Sequence, residues 1–404
     1  MTKCCKILVI PSWYPPDGGY FFREHCEALA DNGAHVEVLV NRVISIRRLG
    51  RVRTGQLRRF HDSMENGIRV MRSWMFKIPG NEKLNTSRWI RSTVRLFDKY
   101  SRSFGKPDIL LAHSAIWAGC AASVISRIHG IPFLITEHRS FFVFTTGESR
   151  QMLRPFYRPL LREAYNRCNR LVIVSESMKK GLLELDPHLK NKMKVIPNMV
   201  DGNFFSLPVN PRPRHPFVFI TAGRLIHVKG YDILIRALAK IIQNGHQDII
   251  LKILGRGEEN TRLEKLATNL GIRKNVIFTG RLSRVKVRDE FHNAHCFVLS
   301  SRYEAFGVVL IEAMATGLPV IATRSGGPSE IVKPGCGYLA DPGSEDELVR
   351  AMLEMFAKYD SFDPEMIRKK ILNQYGKEAI AGQYIHLMEE FVKKSVLEDF
   401  KDLV

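Results

Sequence analysis

The chain has 404 residues, 45% of them hydrophobic and 25% charged, with a formal net charge of +20. That length suits two cores of about 150 to 200 residues each, and the ordinary globular balance excludes wholesale disorder. Seven cysteines without CxxC spacing, 13 histidines without HExxH and the absence of any DxD exclude a recognisable zinc site, redox pair or carboxylate cradle, so reduced thiols and metal-free chemistry are expected.

In chain order, the first apolar run, Lys6 to Ile10, stops at Pro11 and is too short for the apolar core of a signal peptide, so a cytoplasmic location is expected. Gly18-Gly19 follows, where missing side chains let backbone approach a phosphate or an acceptor; the stretch is not GxGxxG. Further β-branched runs at 35–40, 68–73, 108–112, 132–136, 170–174 and 194–196 alternate with amphipathic stretches, the pattern of a parallel sheet covered on both faces. The most apolar stretch, 109–125, carries His113, Ser114, Gly119 and Ser123 and falls short of the roughly 20 residues of a spanning helix.

The positive charge is concentrated early: residues 42–102 hold 16 Lys or Arg against four acids, interleaved with Phe60, Trp74, Phe76, Trp89, Phe97 and Tyr100. That composition fits an anionic membrane surface or an anionic acceptor, with Trp74 and Trp89 as candidate contacts, and fits a solvated face as well. Arg150, Arg154, Arg158 and Arg162 recur every four residues and form one stripe if helical, although Pro155 and Pro159 strain such a helix. Nucleic acid is not expected, because no RRM, KH or helix-turn-helix signature accompanies the charge.

The segment Leu207 to Pro216 contains four prolines and is the expected linker, dividing an N-terminal domain at 1–205 from a C-terminal one at 206–375 and a last helix at 376–404. Strands expected at 217–221, 249–254, 275–278, 296–299 and 319–322 alternate with helices near 231–244, 258–270, 284–294 and 307–316. Both halves read as doubly wound α/β sheets, which places ligands beyond the carboxyl ends of the strands, in the cleft between the lobes.

The most informative stretch runs from Ser300 to Ala322. A buried strand ends at Leu299, a loop carries Glu304 and Phe306, and a helix opens at Gly307-Val308 with free N–H groups suited to a diphosphate. Glu304 and Glu312 flank that helix start and can accept hydrogen bonds from sugar hydroxyls on either side of a bound anion. Taken alone, either glutamate reads equally well as a charge complement or a solvated side chain. Arg224 and Lys229 follow a strand in a glycine-punctuated loop, where a donor fork and a point charge suit one diphosphate.

The pattern Glu304-x7-Glu312, then Ala-x3-Gly317-x-Pro-Val-Ile-Ala322 and Gly326-Gly-Pro-Ser-Glu330, resembles glycosyltransferase family 4. The resemblance continues through Thr221-Ala-Gly223-Arg224, Lys229-Gly230, Leu254-Gly255-x-Gly257 and Val276-x-Phe-x-Gly280. It is looser in the first half, at Gly18-Gly19, Thr136-Glu-His138 and Pro197-Asn198. It implies a GT-B fold of two Rossmann-like domains and transfer of a sugar from a nucleotide-diphosphate sugar, with retention and without metal or other cofactor. It implies catalytic roles for Glu304, Arg224, Lys229 and His138, and donor contacts from Glu312, Phe306, Gly307, Val308, Gly223, Gly19 and Gly255. It assigns Glu304 to the transferred sugar, Glu312 to the ribose and His138 to sugar hydroxyls or developing charge; His113 receives no role.

The looser match in the first half is nearest to bacterial surface-polysaccharide enzymes. The implied partners are a nucleotide sugar, a glycan or lipid-linked acceptor and the inner face of an anionic membrane, with Arg150, Arg154, Arg158, Trp74 and Trp89 as candidate acceptor or membrane contacts. A sugar-nucleotide epimerase and a non-catalytic sugar-nucleotide-binding subunit share the fold, and intact Glu304, Arg224 and Lys229 argue against both.

Overall fold

The computed structural model describes residues 5–16, 18–45, 60–143, 153–212 and 215–401, with side chains to 393. Its chain forms two compact units, one containing residues up to Pro197 together with those from Glu378 onward, the other Asn198–Lys377.

Among the described residues, the first unit has strands β1 (Lys6–Pro11), β2 (His35–Ser45), β3 (Phe60–Glu65), β4 (Ile68–Lys77), β5 (Ile109–His113), β6 (Phe133–Glu137), β7 (Arg170–Ile173) and β8 (Met193–Val195). Their order in the sheet is β3-β4-β2-β1-β5-β6-β7-β8. All pairings are parallel except β3 with β4. β5 and β6 are buried at every position, as expected of parallel strands covered on both faces. β3 is absent from the sequence reading because it is mostly polar, yet the Asn66-Gly67 dipeptide that joins it to β4 is a hairpin signal. Both residues have positive φ, 49° and 79°, as a two-residue I′ turn requires.

The helix Glu82–Phe104 corrects the reading of the basic stretch. Asn81 caps it by accepting from the Leu84 N–H at 3.0 Å, and its buried face carries Trp89, Leu96, Phe97 and Tyr100. Trp89 is fully buried, donates from Nε1 to the Asn41 carbonyl at 2.8 Å and stacks on Trp117, so it contacts neither membrane nor acceptor. Half of the interleaved aromatics are thus core residues of an amphipathic helix whose other face carries the charge. Trp74 is half-buried on β4 against Phe76, and residues 46–59 lie outside the described residues.

The arginine stripe does not form as expected. The helix begins only at Tyr157, after Pro155. Arg154 precedes it and pairs with Glu82 at 2.8 Å, and Arg162 donates to the Leu185 carbonyl at 3.0 Å. Arg158 is exposed in the first turn, and Arg150 lies outside the described residues. Among the described residues no helix is long and apolar enough to cross a membrane.

The second unit has β9 (Phe217–Ala222), β10 (Ile249–Leu254), β11 (Val276–Gly280), β12 (Cys296–Leu299), β13 (Val320–Thr323) and β14 (Gly337–Ala340), in the order β11-β10-β9-β12-β13-β14 and all parallel. Helix Tyr231–Gln243 packs Leu234, Ile235 and Leu238 into a core shared with Phe219, Leu251, Val298 and Met352.

The boundary between units falls at Pro197/Asn198 rather than after residue 205, and again at Lys377/Glu378. The proline-rich segment is held within the second unit: Arg212 donates to the Thr316 carbonyl at 2.8 Å, and His292 Nε2 meets the Ser206 carbonyl at 2.8 Å. Prolines deny a segment its own ladder, but side chains from elsewhere can still fasten it.

Candidate active site

In the second unit the chain winds outward from β9 through β10 to β11, then returns to the other side of β9 for β12, β13 and β14. The gap beyond the carboxyl ends of β9 and β12 is therefore a topological switch point, where successive loops diverge and leave room for a ligand. The loops after β9, β10, β12 and β13 carry Gly223–Gly230, Gly255–Gly257, Ser300–Gly307 and Arg324–Gly327. Every sequence-predicted site residue of this half except Glu312 lies in these loops or at the helix start that follows.

Lys229 and Glu304, 75 residues apart, form an ion pair between Nζ and Oε2, with side chains 23% and 14% exposed. Backbone contacts fix Glu304 independently: its N–H donates to the Ser325 carbonyl at 2.8 Å, and its carbonyl accepts from the Gly327 N–H at 3.0 Å. A side chain at Gly327 would meet the Ala305 carbonyl at 2.4 Å, which gives the Gly-Gly of that motif a steric reason. Burial, with the Glu304 charge, pushes the Tyr231 hydroxyl well up from its usual value.

Arg302 joins the two loops and was not singled out from sequence. Its guanidinium makes two 2.9 Å bonds to Asp232 and one of 2.7 Å to the His227 carbonyl, and its N–H donates to the Val228 carbonyl at 2.8 Å. Ser300 Oγ adds a 3.0 Å bond to the Lys229 carbonyl. The fork-on-carboxylate geometry makes Arg302 a brace that sets where Lys229 stands relative to Glu304. A sequence signal existed in Asp232, just past Lys229-Gly230, but pairing it with Arg302 requires the fold.

Arg224 is placed differently. Its side chain is 70% exposed and lies 3.7 Å from the equally exposed Glu258, so Lys229 alone of the two cations contacts Glu304. A surface pair of this kind is weak and leaves Arg224 able to turn toward an anion.

The glycines have steric causes. Gly255 has φ 140°, and a Cβ there would lie 1.9 Å from the Gly223 carbonyl oxygen. Gly230 has φ 64°, with the Ser300 carbonyl 2.1 Å from its Cβ position. Gly307 caps the helix Val308–Ala315 in the left-handed region at φ 97°, where a side chain is strained. Gly255→Ala is expected to destabilise the second unit by roughly 1–3 kcal/mol, read as a lower unfolding midpoint in denaturant; an unchanged midpoint contradicts the packing described here.

Phe306 is buried and meets Tyr375 edge-on at 5.6 Å, so its ring is structural and its backbone is what faces the helix start. Val308 is half-buried in the first turn. Glu312 lies one turn further, its side chain 19% exposed and 3.7 Å from Arg284. Burial pushes its carboxyl up to about 7 against the pull of Arg284, whose guanidinium stacks over Phe204 and Phe205.

In the first unit, Gly19 caps the helix Tyr20–Asp31 with φ 74°, and a Cβ there would lie 2.6 Å from the Trp13 carbonyl oxygen. His138 follows β6. Its N–H and that of Arg139 donate to one oxygen of buried Glu137 at 2.9 and 3.0 Å, while the other oxygen accepts from Ala115 N–H and Tyr165 hydroxyl. Sequence reading passed over Glu137, whose four donors hold the turn that presents His138. Among the described residues no group of three or more His, Cys, Asp or Glu is gathered to hold a metal ion.

Two family descriptions match consecutive parts of the chain: "Glycosyltransferase Family 4" over residues 18–204 and "Glycosyl transferases group 1" over 205–378. The chain is similar to a probable sucrose-phosphate synthase of Thermosipho melanesiensis, 24% identical over 93% of this chain and 92% of the relative. It is similar also to LpsE, a lipopolysaccharide core biosynthesis glycosyltransferase of Rhizobium meliloti, 27% identical over 80% and 88%. Among solved structures it matches HepE of Anabaena in complex with UDP-glucose, with a TM-score of 0.72 at 18% identity, covering 95% of this chain and 100% of that one. The fold is GT-B, as in these glycosyltransferases.

Proposed function

Because the chain belongs to glycosyltransferase family 4, matched in consecutive parts from residue 18 to 378, we propose that it moves a sugar from a nucleotide-diphosphate sugar to a hydroxyl of a glycan or lipid-linked acceptor in bacterial surface polysaccharide synthesis, with retention and without a metal. The observation that carries this reading is the contact of Lys229 with Glu304 at the switch point, beside the helix start at Gly307.

In the reaction the bond from the anomeric carbon to the departing phosphate oxygen breaks while the bond to the acceptor oxygen forms on the same face. The acceptor proton passes to the departing phosphate. Positive charge grows on the sugar and negative charge on the phosphate, so Lys229, Arg224 and the amides at Gly307-Val308 act where the negative charge develops. Glu304 orients the sugar and offsets its positive charge; Glu312 receives the ribose hydroxyls. The ion pair supports the sequence of binding: a diphosphate that takes up Lys229 leaves Glu304 to the sugar.

Melting-temperature shifts with UDP, GDP, ADP and TDP sugars test the donor assignment, since a ligand bound only by the folded state stabilises it by mass action. The expected result is one base class that raises the transition, followed by NMR of a product whose anomeric configuration matches the donor, formed equally in chelator. Stabilisation by none of them, or an inverted product, overturns the reading.

A second acceptor class has specific support. The similarity to a probable sucrose-phosphate synthase spans more than nine-tenths of both chains, and a cavity of about 450 Å³ in the first unit is lined by Arg23, Arg42, His61, Trp74 and the ion pair of Arg72 with Glu65, a lining whose net positive charge suits a phosphorylated sugar. Competition between a hexose phosphate and a lipid-linked acceptor for one labelled donor decides between them.

Arg302→Ala is expected to lower kcat/KM for transfer about 10- to 100-fold through misplacement of Lys229. Arg302→Lys does not restore it, because a point charge cannot reproduce the double bond to Asp232. Peripheral membrane attachment predicts sedimentation with anionic vesicles that is lost at high salt.

A further inference from the structure

Two serines follow directly on β12, Ser300 and Ser301, and they are 1% and 0% exposed. Successive side chains leaving a strand point to opposite sides, and these two reach opposite members of the Lys229–Glu304 pair. Ser300 Oγ donates to the Lys229 carbonyl at 3.0 Å, whereas Ser301 Oγ donates to Glu304 Oε2 at 3.4 Å, the long end of a hydrogen bond. The Ser301 backbone is fixed from the neighbouring strand, its carbonyl accepting from Thr323 Oγ1 at 2.5 Å. A buried hydroxyl needs a partner. Among the described residues, Glu304 is the partner Ser301 Oγ has.

The two oxygens of the Glu304 carboxylate are therefore unlike. Oε2 meets both Lys229 Nζ and Ser301 Oγ, while Oε1 has no hydrogen-bond partner among the described residues. The Glu304 backbone is already held through Ser325 and Gly327. What freedom remains lies in the side chain, which ends in the broad, two-fold torsion of a carboxylate. Donors gathered on one oxygen set that torsion. Lys229 cannot do so throughout the reaction, because a diphosphate that draws its ammonium away removes the stronger donor from Oε2. Ser301 is sealed beneath the site and stays. A hydroxyl also suits this place better than a second cation would, since it orients the carboxylate without neutralising the charge that opposes the one growing on the sugar.

We propose that Ser301 is a positioning residue: its hydroxyl holds Oε2 of Glu304 once the diphosphate has taken up Lys229, and so aims Oε1 at the transferred sugar. This rests on the function proposed above. Ser300 and Ser301 then divide the work, one setting the backbone of the cation and the other the head group of the carboxylate.

A double-variant cycle tests the pairing, run with whichever of the UDP, GDP, ADP and TDP sugars most raises the melting transition. Ser301→Ala is expected to lower kcat about 10-fold in the wild-type background, the order of a hydrogen bond to a charged group, and by at most about 2-fold in the Glu304→Ala background. Calorimetry with inorganic diphosphate is expected to give Ser301→Ala an affinity within about 2-fold of wild type, because Ser300 and Arg302 still set Lys229. An unchanged kcat in the wild-type background overturns the proposal. So does an equal loss in both backgrounds, or a fall in diphosphate affinity as large as the fall in kcat, since each marks a general disturbance of the loop. Crystals soaked in inorganic diphosphate give a readout without turnover: Ser301 Oγ is expected to close to about 3.0 Å or less from Oε2 as Lys229 moves to the anion, and a Glu304 that swings off Ser301 overturns the proposal. A closed Ser301–Glu304 contact in a protein that turns over no donor leaves the positioning intact and removes the assigned reaction.

Discussion

Glu304→Ala is expected to reduce glycosyl transfer by about 10³-fold, because on the proposed reading it removes the carboxylate that opposes the charge growing on the sugar. The same substitution has an opposite effect on the product. In the free protein Lys229 is committed to Glu304, so removing the carboxylate frees the ammonium for a nucleoside diphosphate, which should bind as well as before or more tightly. Lys229→Ala is expected to cost a similar factor in transfer and to weaken nucleoside diphosphate binding. Calorimetry with the diphosphate and kinetics with the sugar donor therefore move in opposite directions for Glu304→Ala and in the same direction for Lys229→Ala.

Because the two groups share one contact, the double variant should lose far less than the product of the single losses. Glu304→Gln separates charge from shape, keeping a hydrogen-bonding group of the same size without its charge. Transfer that survives in the folded Glu304→Ala, Lys229→Ala double variant at the wild-type rate would falsify the site.

Glu312 carries the second large expectation, and its sign differs between stability and binding. Burial raises its carboxyl from 4.5 to about 7. The folded state therefore holds a proton that the unfolded chain has released between those values, so this group's contribution to stability is fullest below 4.5 and is lost as pH rises to about 7. The loss amounts to at most ~3 kcal/mol. Glu312→Gln is expected to raise the melting temperature of the donor-free protein at about pH 8 and to flatten its dependence between about pH 5 and 8.

Donor affinity runs the other way. On the proposed assignment of Glu312 to the ribose, the ionised carboxylate is the form that accepts hydrogen bonds from both hydroxyls, so wild-type donor affinity is expected to rise as pH passes up through about 7, and the glutamine variant to bind more weakly above it. Parallel melting curves and donor titrations across this range are the test. If wild type and variant share one pH slope in both, Glu312 is not the group that titrates. Arg284, 3.7 Å away, supplies an internal check, since its removal should raise the Glu312 carboxyl further and move both transitions upward.

Much of the second unit was readable from residue patterns. Continuous apolar runs such as Phe217–Ala222 and Cys296–Leu299 are what a parallel strand buried on both faces must be, and glycines at 223, 255, 257 and 307 mark where loops leave them. Short β14 escaped because it is four residues long, opens on Gly337 and has three of its four residues only half-buried. In the first unit the same patterns found the sheet and misjudged the surface. Trp89 reads as one more aromatic among arginines until the helix phase turns it inward against Asn41 and Trp117.

By itself the sequence determined most of the local elements, the βα alternation of both halves and the glutamates, cations and glycines that end their strands. Those depend on backbone propensity, periodicity and spacing over a few residues. Only the tertiary structure decided that Lys229 rather than Arg224 meets Glu304, that Arg302 braces the two loops through Asp232, and that His25, His113 and His138 form one row. These contacts join residues 25 to 88 positions apart, brought together where strand order reverses. Side chains that meet across a switch point carry no mark of their partner in the chain, because the meeting is set by the sheet and not by their neighbours in sequence.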